Sequence, residues 1–247
     1  MNLIEQLDSK LIIEYYPMKN LKYSLIFSII LMSCAKDRII DRPVSFDQER
    51  IDLTLDYLDR RYGLKQTEPT ITPKMLVIHY TVIPTLEKTF AAFENAKLPD
   101  WRPEIIGASG LNVSSQFVVD RDGSIYRLMP ETYMARHVIG LNHCAIGIEN
   151  VGGTEDTPLT EAQLDANIWL AKYVKKKYNI QYLIGHSEYT HFEGHELWLE
   201  VDDGYRTKKS DPGDNFLADI RDATKDLGFS PTPPKPIKDE IYIPRIL

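Results

Sequence analysis

The sequence predicts an α/β fold, a single mixed domain whose central sheet is flanked by helices. Short apolar runs of strand length alternate along the chain with longer stretches of helical spacing. An Asp-Gly turn joins two of the strand-like runs, and no internal repeat interrupts the alternation. With 43% apolar and 26% charged residues in 247, the composition is that of a soluble globular chain and excludes collagen, coiled coil and wholesale disorder. A net charge of −7 argues against a chain that coats nucleic acid, because phosphate binding needs clustered Lys and Arg.

The N-terminal part carries its own signal. Met18-Lys-Asn-Leu-Lys22 is cationic, Tyr23–Met32 is a ten-residue apolar run, and Ser33-Cys34-Ala35 follows. A helix needs about 20 apolar residues to cross a hydrocarbon core, so this run reads as a cleavable signal segment. Leu31-Met32-Ser33-Cys34 resembles the lipobox of bacterial lipoproteins, which implies cleavage before Cys34 and a lipid anchor on that residue. Acidic Glu5, Asp8 and Glu14 do not suit a signal, so translation is expected to start at Met18. Ala35 implies the outer membrane, facing the periplasm. Lys36-Asp37 also resembles surface-export signals of some lipoproteins, and the face displayed stays open. Residues 1–33 are thus expected to be removed, with 34–71 a lipidated leader, 72–229 the folded domain and 230–247 a Pro-rich tail. With Cys34 lipidated, Cys144 has no disulfide partner.

The elements follow in order. Apolar residues at Ile51, Leu53, Leu55 and Leu58 predict a helix within Asp41–Tyr62. Met75–His79 reads as a buried strand, and Leu86–Ala96 has helical spacing. Gln116–Val119 and Ser124–Leu128 flank Asp120-Arg-Asp-Gly123 and predict a hairpin. Cys144–Val151 is a further strand. Thr160 with Gln163 three places on is a capping box opening a helix to Tyr178. Tyr182–Gly185 is the last strand, and a last helix runs to Leu227, with Asp211 suited to its N-cap. Ser230–Pro236, with Pro at 231, 233, 234 and 236, cannot continue a helix or central strand.

Metal-competent residues sit at strand ends: His79 closes Met75–His79, Glu149 lies near the end of Cys144–Val151, and His186 follows Tyr182–Gly185. Two neutral imidazoles and a carboxylate are a suitable set for a catalytic zinc, which takes three protein ligands and keeps a fourth position for water.

Val77-Ile-His79-Tyr-Thr81, Val113–Tyr126, Asn142–Gly152 around Ile146-Gly-Ile-Glu149, Ile184-Gly-His186 and Lys209-Ser-Asp211-Pro-Gly213 occur in the order seen in one family. By these stretches the chain resembles the zinc-dependent N-acetylmuramoyl-L-alanine amidases of the amidase-2 family, which share the peptidoglycan recognition protein-like fold. The resemblance implies His79, His186 and Asp211 as Zn2+ ligands. It also implies Glu149 as the catalytic proton carrier and Lys209 as the cation facing the oxyanion. Tyr80 and His137 would line the substrate cleft, with a purely structural role for His137 equally open. The implied partners are peptidoglycan or muropeptides, and the membrane through Cys34, for a chain acting as a monomer.

One departure stands out. Ser187–Ser210 lengthens the connection between His186 and Asp211, and its Tyr189, Phe192, Trp198 and Tyr205 suggest a lid or substrate wall. Within it, His191 and His195 are four apart, as in a zinc-protease helix, but Glu193 is one place late and Gly194 weakens a helix. Asp120–Gly123 is too short for a calcium loop. A non-catalytic peptidoglycan receptor on the same fold, and a zinc peptidase of the stem peptide, are the rival readings.

Overall fold

The computed structural model describes residues 38–100 and 102–236. The signal segment, Cys34 and the end of the tail lie outside the described residues. Six strands form one sheet among those described: β1 (Ile39–Asp41), β2 (Met75–Tyr80), β3 (Phe117–Val119), β4 (Ile125–Arg127), β5 (Ala145–Asn150) and β6 (Tyr182–Gly185). Their spatial order is β1-β4-β3-β5-β2-β6, with β3–β4 the antiparallel pair and every other neighbour parallel. The antiparallel pair is the expected hairpin, closed by the Gly123 amide donating to the Asp120 carbonyl at 2.9 Å.

Parallel strands covered on both faces read as continuous apolar runs, and Met75-Leu76-Val77-Ile78 is fully buried. Alternation along the strand divides the run between two cores. Leu76 and Ile78, with Ile146 and Ile148, pack under α4 (Glu161–Lys177) and α5 (Asp214–Ala223). Met75, Val77, Ala145 and Ile184 face the opposite side, against Leu141, Tyr189, Phe192 and Leu197.

The capping box of α4 is present: the Gln163 amide donates to Thr160 Oγ1 at 3.1 Å, and the Thr160 amide to Gln163 Oε1 at 3.0 Å. The buried Gln163 side chain also donates to the carbonyls of Val119 and Val151, so one residue caps the helix and ties it to the sheet.

The segment expected as a leader is built into the domain, which begins at Ile39 rather than Thr72. β1 adds to the sheet edge alongside β4. The first helix, α1 (Gln48–Tyr62), starts later than Asp41 because Asp47 caps it through a 3.0 Å bond from the Arg50 amide, and it stops at Gly63 in the left-handed region. Its Tyr57, Leu58 and Tyr62 are buried with Ile71, Leu111 and Met134. Buried Arg50 donates to the carbonyls of Phe93 and Glu94 at the end of α2 (Leu86–Glu94), which closes two residues short of the expected Ala96. A short turn, α3 (Pro103–Ile106), follows.

The expected lid is corrected as well. The inserted segment opens in a 3₁₀ turn at His186–Phe192, and its Tyr189, Phe192 and Tyr205 are buried in the second core and so form no lid. Tyr205 also borders a small depression beside His137, His186 and Lys209. Arg61 of α1 meets Glu200 in this segment at 2.5 Å, a pair shielded from solvent. The last helix, α5, is followed by a separate 3₁₀ turn at Lys225–Leu227. The first part of the tail lies against the domain, with the Ser230 amide donating to Gln181 and the Pro233 carbonyl 3.0 Å from His191 Nδ1. No helix of the described residues is long and apolar enough to cross a membrane.

Removing one partner of a buried ion pair strands the other charge. Glu200→Ala leaves Arg61 only the exposed Asp202 at 3.3 Å and is expected to cost up to about 3–5 kcal/mol in urea unfolding, and the apolar double variant Arg61→Met/Glu200→Leu clearly less.

Candidate metal centre and cleft

The side-chain alternation that divides the core also assembles the site. His79 follows Met75 and Val77 on their face of β2, and Glu149 follows Ala145 on the same face of β5. The register pairs His79 with Glu149. Ile78 pairs with Gly185, so His186, the next residue after β6, arrives at the level of His79. Three strand ends thereby deliver their polar residues to one edge and one face of the sheet.

Asp211 comes from the loop before α5. Its carbonyl accepts from the Ser187 amide at 3.0 Å, which pins the loop beside His186. Close approach depends on Gly185, where an added Cβ would stand 2.8 Å from Pro212 Cδ. The expected N-cap role of Asp211 is not seen: Gly213 occupies that position, and the Asp211 carboxylate turns to the histidines. His79 and His186 are held through their surroundings. Asn150 donates to the His79 carbonyl at 2.9 Å and accepts from Asn167 of α4 at 2.7 Å. Glu188 accepts from the Gly185 amide and from Arg221 of α5.

His79 Nδ1, His186 Nδ1 and Asp211 Oδ2 form a triangle with sides of 2.9, 3.1 and 3.2 Å. All three residues are buried. Ligands about 2.0–2.1 Å from a tetrahedral zinc lie about 3.3 Å from one another, so the triangle fits such an ion with small relaxation. The donor chemistry fits too. Burial, with the neighbouring His79, pushes His186 down to about 3, so its imidazole is neutral at physiological pH. Burial opposes ionisation of Asp211, but hydrogen bonds from His186 and His79 outweigh it and hold its carboxyl far below the ordinary range. His79, His186 and Asp211 could therefore hold a metal ion.

The cluster opens on a cleft of about 410 Å³, lined by Tyr80, Val82, Arg102, His137, Glu149 and Lys209 among others. Glu149 is partly exposed, yet its Oε2 is shielded and has no hydrogen-bond partner. Burial raises its pKa; His79, Lys209 and Arg102 pull it back, while Asp211 pushes it up. Lys209 lines this cleft and adjacent Lys208 does not, although both border a separate depression. Tyr80 Oη lies 2.9 Å from Ser210 Oγ. His137 borders the cleft, but its ring nitrogens are engaged by His79 Nε2 at 3.0 Å and the Ala145 carbonyl at 3.3 Å. His191 and His195 are absent from the cluster; His195 Nε2 instead lies 3.3 Å from Tyr182 Oη. Arg102 had no sequence signal, since it reaches Glu149 from a loop distant along the chain. Arg136 sits beside His137 in the sequence but within none of the recognised stretches. It is buried against the carbonyls of Ile105, Ser109 and Leu111.

With this triad, one equivalent of Zn2+ is expected to raise Tm, and Asp211→Ala to abolish the rise, both read by thermal unfolding with and without chelator.

Three comparisons bear on identity. A family model described as N-acetylmuramoyl-L-alanine amidase matches residues 69–214. No curated protein matches the chain significantly. Among solved structures, the amidase LysC from Clostridium intestinale is 22% identical, with 78% of this chain and 98% of that one covered, at a TM-score of 0.45. A selenomethionine derivative of AmpD is 21% identical over 76% and 94% of the two chains, at a TM-score of 0.46. Human PGRP-IBETAC in complex with glycosamyl muramyl pentapeptide is 18% identical over 75% and 95%, also at 0.46. The family match spans more than half of the chain and takes in His79, Glu149, His186, Lys209 and Asp211, and on that ground the chain belongs to the N-acetylmuramoyl-L-alanine amidase family.

Proposed function

We propose that this chain is a zinc-dependent N-acetylmuramoyl-L-alanine amidase that hydrolyses the amide between N-acetylmuramic acid and L-alanine in peptidoglycan. The observation that carries the reading is the unpartnered carboxylate oxygen of Glu149 in the same cleft as a buried His-His-Asp triad. A binding module needs neither, and a carboxylate oxygen shielded from solvent without a hydrogen-bond partner costs stability.

An amide is a poor electrophile with a poor leaving group. Hydrolysis therefore needs an activated water, stabilisation of the carbonyl oxygen and a proton for the departing nitrogen. His79, His186 and Asp211 would hold zinc, which supplies Lewis acidity toward the carbonyl and a lowered pKa for water. Glu149 takes the proton of the attacking water and returns it to the amine. Burial suits it to this, because a raised pKa makes the carboxylate a better base. The Lys209 ammonium, on the cleft wall, faces the oxygen on which negative charge develops. Lipidation of Cys34 would place this chemistry in the cell envelope at the outer membrane, where its polymer lies.

Incubation with purified muropeptides should release stem peptide with a free L-alanine amino terminus, identified by mass. A shortened stem would show a peptidase, and retained intact substrate a receptor. Glu149→Gln should be inactive, and Lys209→Ala should lose roughly 10²–10³ in kcat.

The pH profile has a defined sign. Glu149 works as its ionised form, and its pKa is raised, so the acid limb of kcat/KM should fall above the ordinary carboxylate range. Lys209 holds that pKa down, so Lys209→Met should move the limb to higher pH.

A further inference from the structure

His137 touches the triad without belonging to it, and its geometry gives it a direction. His79 turns Nδ1 toward His186 and Asp211, which leaves Nε2 facing His137 Nδ1 at 3.0 Å. With Nδ1 committed to a metal, a neutral His79 carries its proton on Nε2 and must donate it. His137 Nδ1 can accept only if its own proton sits on Nε2, and that nitrogen lies 3.3 Å from the Ala145 carbonyl of β5. The two rings meet edge to face at 5.0 Å between centroids. The result is a one-way chain of donors that ends on a carbonyl, which cannot donate back.

The backbone of His137 is held just as closely. Asn142 Oδ1 accepts from the amides of His137 and Val138, at 2.9 and 2.8 Å. The Asn142 amide group in turn donates to Tyr62 Oη at 2.9 Å and Tyr57 Oη at 3.3 Å. Asn142 is fully buried, as is Tyr57, and Tyr62 nearly so. On the other side of the ring, a Cβ at Gly147 would stand 2.9 Å from His137 Cγ and Nδ1, so only glycine lets the imidazole lie against β5. Tyr57 and Tyr62 belong to α1, ahead of the residues matched by the family model.

We propose that His137 is a positioning residue that fixes the tautomer and orientation of His79 as a metal ligand, and that α1 supports it through the Tyr62–Asn142 contact. The inference rests on the triad taking zinc. Partners of this kind on ligating histidines are worth about 10–100-fold in metal affinity.

The test is Zn2+ affinity of the purified full chain, by competition with a chromophoric chelator, with folding monitored by circular dichroism. His137→Phe keeps a ring but removes the acceptor, and should weaken Zn2+ binding about 10–100-fold. His137→Asn offers an amide oxygen near the place of Nδ1 and should recover most of the loss. Tyr62→Phe deletes both hydrogen bonds that Asn142 donates to Tyr62 Oη, from its side chain and its backbone, and should weaken binding about two- to ten-fold. Nitrogen NMR of the Zn2+-loaded wild type should show His137 bare on Nδ1 and protonated on Nε2, a single tautomer that a packing role would not require. Folded His137→Phe with wild-type affinity overturns the relay, as does His137→Asn no tighter than His137→Phe. If His137→Phe fails to fold, His137→Asn binding far more weakly than wild type, or Tyr62→Phe binding equally well, overturns it. A wild-type chain that takes up no Zn2+ removes the metal reading itself, whereas a binding wild type with unaffected variants removes only this inference.

Discussion

The parallel register of β5, β2 and β6 is the constraint on which everything else depends. It sets His79 beside Glu149 and Ile78 beside Gly185, so the first residue beyond β6 is delivered level with the other two. A strand alternates its side chains with a period of two, and a slip of one residue in β2 would send His79 into the core under α4 and α5. The same alternation that buries Met75 and Val77 in one core, and Leu76 and Ile78 in the other, therefore guards the site. Apolar packing on two faces makes the register costly to change, and the polar residues inherit that precision.

Around this framework, neutral hydrogen bonds do much of the positioning, and an ion pair braces one strand end. Asn150, Asn167 and Gln163 link α4 to strand ends through amide groups. Glu188 and Arg221 brace the exit of β6. Inside the cleft, burial keeps His186 and His137 neutral and makes Glu149 hold its proton more tightly, while Asp211 remains ionised because two imidazoles serve it. One low-dielectric environment thus gives two carboxylates opposite behaviour, and the difference lies in their partners.

Much of this was legible in the chain. The capping box at Thr160 and Gln163, the Asp-Gly hairpin and the apolar strand runs are local signals, decided by residues a few places apart, and each appears where the pattern puts it. The polar residues at strand ends stood out because they break apolar runs. The Asp41–Tyr62 helix was visible, but its place in the core was not, because the partners of Tyr57 and Tyr62 lie some 80 residues away at Asn142. The inserted segment misled for the opposite reason: aromatic residues in a long loop look alike whether they cover a cleft or fill a core, and the buried Arg61–Glu200 pair is silent in sequence.

The sequence by itself determined the class of fold, the order of its elements and the residue types offered to the site, because propensity, turn chemistry and apolar period act over short distances. Only the tertiary structure decided which of the histidines share a centre and which face the centre occupies. It drew His79, His186 and Asp211 to within 3.2 Å of one another, and it sent His195 to Tyr182. The physical reason is that convergence is a property of register and packing. Strands far apart in the chain must pair, and α1 must close over Asn142, before any of these side chains has a neighbour.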